Sequence, residues 1–140
     1  PQLINRWTEQ SFANSLFIDA DSLLPTQQST LEGSYRALLK NKDYNVVYNG
    51  TWITPLQSGK TQRFHLHHVV NQNEMIDALI DITLKYTLEV HFQTQWLVPA
   101  TDNFYDIIAL DESYQTPSNQ IQYIDGPVYG ALIKITRNET

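Results

Sequence analysis

The side chains of this chain best suited to chemistry are its histidines. In Arg63-Phe64-His65-Leu66-His67-His68, His65 and His67 stand two residues apart, so an extended strand sends both imidazoles to the same face. His91 falls on the polar side of a later alternating segment. Three imidazoles on neighbouring strands would meet the first requirement of a zinc site. However, the chain has no cysteine, and no carboxylate is visibly placed to complete a tetrahedron. Paired histidines of this kind are also ordinary on a solvated strand face, and no metal is predicted.

Other chemistries lack a component. Ser34 sits in a helical pattern and there is no Gly-x-Ser-x-Gly, so the nucleophile of a hydrolytic triad is missing. Asp19 with Asp21, and Asp111 with Glu112, fall in polar stretches that read as solvated loops, not as an acid/base pair. Ser58-Gly59-Lys60-Thr61 has the tail of a phosphate-binding loop without its earlier glycine or a following helix. The sequence therefore predicts no catalytic residue, no cofactor and no enzyme. A net charge of -6 argues against nucleic acid, whose backbone is bound by clustered Lys and Arg. No apolar run approaches the roughly 18 residues of a transmembrane helix. The residues following Pro1 do not read as a signal peptide.

The elements that would hold these residues read as a single domain over residues 1–140, with an irregular N-terminal arm over 1–29 and a core over 30–137. Thr30 can cap a helix whose Leu31, Tyr35, Leu38 and Leu39 form one apolar stripe. Strands are expected over 44–54, which ends at Pro55, and over 61–70, joined by a hairpin loop at Gln57-Ser58-Gly59-Lys60. Over 80–92 Ile80, Ile82, Leu84, Tyr86, Leu88, Val90 and Phe92 alternate with polar residues, as one half-buried strand should. A short strand at 104–110 precedes a polar loop at 111–119. Strands at 120–124 and 128–136 flank Asp125-Gly126-Pro127. The expected fold is α+β: a mostly antiparallel sheet with one main helix packed on a face.

Three segments carry a family resemblance. Leu31-Glu32-Gly33-Ser34-Tyr35-Arg36-Ala37-Leu38-Leu39 leads into a strand with Trp52 and Pro55; Lys85-Tyr86 sits within 82–90; and Tyr123, Asp125, Pro127 and Gly130 punctuate the stretch 120–135. Together they resemble the CsiV-type periplasmic peptidoglycan-binding proteins of gammaproteobacteria. Gln122 and Gly126 stand where that family carries histidines, and the His usual after its Tyr-Leu is absent. The resemblance implies a periplasmic protein that binds peptidoglycan. It also implies support of cell-wall synthesis by a bifunctional penicillin-binding protein and its outer-membrane lipoprotein activator.

Aromatic residues make up 11% of the chain. Most are expected in the core, but rings beside Arg, Gln, Asn and Thr also suit a sugar face. Given the ligand class that the resemblance implies, the candidate contact residues are Arg63, His65, Tyr123 and Tyr129. The alternative is a protein-interaction or envelope assembly module that docks a partner through a strand edge or apolar patch.

Overall fold

A computed structural model of the chain describes residues 15–19, 54–101, 105–126 and 129–136. These residues form seven strands: β1 (Leu16–Asp19), β2 (Thr61–Asn71), β3 (Glu74–Leu84), β4 (Leu88–Pro99), β5 (Tyr105–Thr116), β6 (Ile121–Asp125) and β7 (Gly130–Lys134). The first five make one sheet in sequence order, and β6 and β7 make a separate hairpin. β2 to β5 run antiparallel to one another, while β1 pairs with β2 in parallel, Phe17 beside His65 and Asp19 beside His67.

The α+β expectation is corrected by this arrangement: the described residues are all-β. The helix expected from Thr30 to Leu39 lies outside them, as does the strand expected over 44–54 except for Thr54. Among the described residues, the sheet is covered on its apolar face by the β6–β7 hairpin. Even-numbered residues build that face. Phe64, Leu66, Ile80, Ile82, Leu88, Val90, Phe92 and Leu110 form a buried cluster with Ile124 of β6, and Tyr129, Ala131 and Ile133 pack against it. Each such side chain contributes about 1.5–3 kcal/mol when fully buried, which outweighs any local preference of the hairpin itself. Gly130 permits the close pairing of β7 with β6, because a Cβ there would lie 2.5 Å from the Ile124 carbonyl oxygen. Asn119, at φ 73°, turns the chain between β5 and β6 and donates its N–H to the Ile135 carbonyl at 2.8 Å.

Residues 80–92 are not one strand but the facing halves of β3 and β4, turned over at residues 85–87. The register pairs Ile80 with Phe92, Ile82 with Val90 and Leu84 with Leu88. Even residues thus face even residues, and the apolar alternation continues through the turn as if the chain had not reversed. Tyr86 breaks it, being fully exposed at the apex. The expected strand at 61–70 matches β2. The expected strand at 104–110 is longer, since β5 continues through the Asp111–Thr116 stretch expected as loop.

Candidate functional site

Odd-numbered residues of β2 to β5 form the opposite face, and strand register sets them in rows. Arg63, Asp81, His91 and Ser113 lie side by side across four strands; His65, Leu79, Gln93 and Asp111 form the next row, then His67, Asp77, Gln95 and Ala109. Cross-strand neighbours on one face come within about 5 Å, so polar residues there meet one another directly.

They do so as ion pairs and hydrogen bonds. Arg63 grips Asp81 through two bonds, Nε to Oδ1 at 2.6 Å and a terminal nitrogen to Oδ2 at 2.7 Å. Its hydrogen bond to Asp81 pushes the guanidinium pKa further up against the opposing effect of burial, so Arg63 is a fixed cation. His91 stands between two carboxylates: Nε2 donates to Asp111 Oδ1 at 2.7 Å, and Nδ1 lies 4.0 Å from Asp81 Oδ2. Gln93 reaches the other Asp111 oxygen at 3.3 Å. In the adjoining rows, His65 Nε2 and His67 Nδ1 both donate to Asp77 Oδ1, at 2.7 and 2.8 Å. Because a carboxylate oxygen only accepts, each of these ring nitrogens carries its proton. That shared oxygen occupies the point between the two imidazoles, and His91 belongs to a different cluster. Among the described residues no group of three or more His, Asp or Glu is arranged to hold a metal ion.

The face is not evenly wet. Leu79 and Gln95 are 1% and 2% exposed, and Leu97 is buried in the row beyond them. The Asp77 side chain is 15% exposed and that of His65 16%, whereas His91 reaches 37% and Asp111 45%. Access therefore increases toward the end where Thr61 pairs with Thr83 and Glu89 with Gln115, next to the β3–β4 turn.

The four candidate contact residues fall in two places. Arg63 and His65 share the polar face, and the His65 ring meets the exposed ring of Phe17 edge-on at 5.3 Å between centroids. Tyr123 is exposed on β6 and Tyr129 is half-buried beside β7, both on the hairpin that covers the other face. Tyr129 packs edge-on against Trp96 at 5.4 Å, donates its hydroxyl to the Ile108 carbonyl at 3.1 Å, and bonds the Thr94 hydroxyl. Its role is to fasten the hairpin to the sheet. Burial pushes its phenol pKa up, although the Thr94 bond opposes this. A shallow groove of about 200 Å³ runs beside Tyr123, lined by Glu112, Tyr114 and Asp125. The neighbouring Tyr114 phenol is pushed up to about 12 by burial.

The partners Asp77, Asp81 and Asp111 were not singled out from sequence as site residues. Alternation alone put Asp81 on the wet side, but only the register shows which cation each carboxylate meets. No family model matches the chain, and no curated protein or solved structure matches it.

Proposed function

We propose that this chain is a non-enzymatic peptidoglycan-binding accessory protein of the bacterial periplasm that supports cell-wall synthesis. The observation that carries the proposal is the polar face of β2 to β5, where planar hydrogen-bonding groups of Arg63, His65, His91 and Gln93 run in adjacent rows. An enclosed cavity suits a small molecule, whereas polar rows that open toward one end of a strand face suit an extended polymer with hydroxyl, amide and carboxylate groups along its length. The segments resembling the CsiV-type family supply the ligand class. A bifunctional penicillin-binding protein and its outer-membrane lipoprotein activator are the protein partners implied by the same resemblance.

Arg63 and His65 are the contacts assigned here, since they lie on the polar face. Nothing in this reading requires a nucleophile: His91 already has a carboxylate on either side, the nearer one hydrogen-bonded to its Nε2. The test is co-sedimentation with purified peptidoglycan sacculi. Wild-type protein should pellet with the sacculi, and folded Arg63→Ala should pellet less. Protein that remains wholly in the supernatant would remove the glycan reading.

A second reading has its own observation. β5 is 12 residues long, and among the described residues it pairs only with β4. Such an edge can accept a partner strand. Binding to a partner protein in the absence of any sacculus association, abolished by a proline at an outward-facing N–H of β5, would favour docking over glycan binding.

A further inference from the structure

Resting on the peptidoglycan reading, we infer that the apex of the β3–β4 turn is the part of the surface that engages the ligand first, through Tyr86, Lys85 and Lys60, and that it selects a saccharide bearing carboxylates over a neutral one. Three independent features of the structure converge on this end of the sheet.

The first is exposure. Tyr86 is fully exposed on a turn that is held firmly: Lys85 N–H donates to the Thr87 carbonyl at 3.0 Å, Leu84 pairs with Leu88, and Gly59 N–H donates to the Leu84 carbonyl at 2.8 Å. A ring presented on a fixed backbone loses little conformational entropy when a sugar face stacks on it.

The second is charge. Thr61 pairs with Thr83, their hydroxyls meeting at 2.5 Å, and Ser58 bridges to Leu84, which brings Lys60, between them in the chain, to the end of β3 next to the turn. Lys60 is exposed and forms no ion pair among the described residues. Among the described residues Lys85 meets only Glu89, at 3.4 Å between two well-exposed side chains, a pair too weak and solvated to withhold the cation from a ligand. Elsewhere on the polar face, by contrast, Arg63 is committed to Asp81 by two short bonds. In a chain of net charge -6, these two ammonium groups are a local exception, and beyond a Debye length of about 8 Å at physiological salt the acidic remainder is screened.

The third is access. The polar face is closed at Leu79, Gln95 and Leu97 and opens toward the row of Thr61, Thr83 and Glu89, which adjoins the turn. A polymer that reaches Arg63 and His91 from this end passes Tyr86 and the two lysines. The ring then stacks on the apolar face of a sugar, and the ammonium groups pair with the carboxylates of the attached peptides.

The experiment has two stages with the full chain. Wild type is first assayed on sacculi; Tyr86→Ala and the double variant Lys60→Gln/Lys85→Gln are then titrated with soluble muramyl-peptide fragments. The same fragments with amidated carboxylates, and neutral N-acetylglucosamine oligomers, serve as comparison ligands. Ile121→Ala is the control, an exposed apolar residue on the hairpin of the other face. Tyr86→Ala should weaken binding about tenfold, and the lysine pair roughly two- to fivefold with a flatter salt dependence. Amidation should weaken wild type and leave the lysine double variant unchanged, while Ile121→Ala binds as wild type does. Wild type that ignores sacculi and fragments alike overturns the glycan reading and this inference with it. Wild type that binds, with Tyr86→Ala and the lysine variant folded and equally tight, overturns this inference alone and leaves the reading standing.

Discussion

The two faces of the β2 to β5 sheet share one backbone and one alternation, yet they are closed by opposite means. The even face is apolar and closed by the β6–β7 hairpin, with Tyr129 as its fastening. The odd face is polar, and its charges are satisfied chiefly by one another across the strands, Arg63 with Asp81, His65 and His67 with Asp77, and His91 with Asp111. Burial therefore decides stability on the first face; on the second, pairing decides it toward the open end, while Leu79, Gln95 and Leu97 are buried. A carboxylate that accepts one such bond keeps further lone pairs, so the paired face retains hydrogen-bonding capacity.

The contrast is broken most severely from the core side. Phe64 is 1% exposed in the centre of the even face. Phe64→Ala should cost about 3–5 kcal/mol, from the lost transfer energy and the cavity left behind. Gln115→Ala, on the exposed end of the odd face, should stay within about 0.5 kcal/mol of wild type. Urea denaturation of both variants checks the pair. Equal losses would mean that the two faces are not energetically distinct.

A double-mutant cycle on Arg63 and Asp81 sharpens the account of the odd face. The pair is bidentate and its side chains are 31% and 17% exposed, so the coupling should be about 1–2 kcal/mol, more than an open surface pair provides. Additive single and double variants would reduce the ladder to incidental surface charge.

The smallest effect is expected at Tyr114, where burial pushes the phenol from 10.0 up to about 12. Between those values the unfolded chain has lost this proton while the folded chain keeps it. The associated stability is thus fully present below pH 10.0 and falls as pH rises toward about 12. With the ring only half-buried, screening holds the contribution to about 1 kcal/mol. Wild type should lose stability relative to Tyr114→Phe as pH rises across that window; parallel curves would place the phenol in water.

What could be read from sequence, and what could not, follows the same division. Alternation put His65 and His67 on one face and found β2 almost to the residue, because a strand with one wet side writes its period into the chain. The β3–β4 turn left no mark, since residues 85–87 contain no Gly, Pro, Asn or Asp and the register joins even residues to even. The second half of β5 resembled a loop because an edge strand carries Asp111, Glu112, Ser113 and Gln115 exposed on both sides. β1 is four residues long and pairs with a strand more than forty residues away, Leu16 beside Phe64, which no local pattern encodes. The identity of each carboxylate partner likewise depends on register. The fully exposed Tyr86 was expected on the buried side of a continuous strand, so the turn that exposes it also conceals it from a reading of the alternation.

The central claim, that one face of this sheet is structural and the other meets a glycan, is tested most directly by following side-chain resonances during a titration with soluble muramyl-peptide fragments. The account predicts progressive shifts at Tyr86, at the methyls of Thr61 and Thr83, and at the imidazole of His91, with the methyls of Ile80, Val90 and Ile133 unmoved. Shifts confined to the β6–β7 hairpin and the even face, or no shift at saturating fragment, would contradict it.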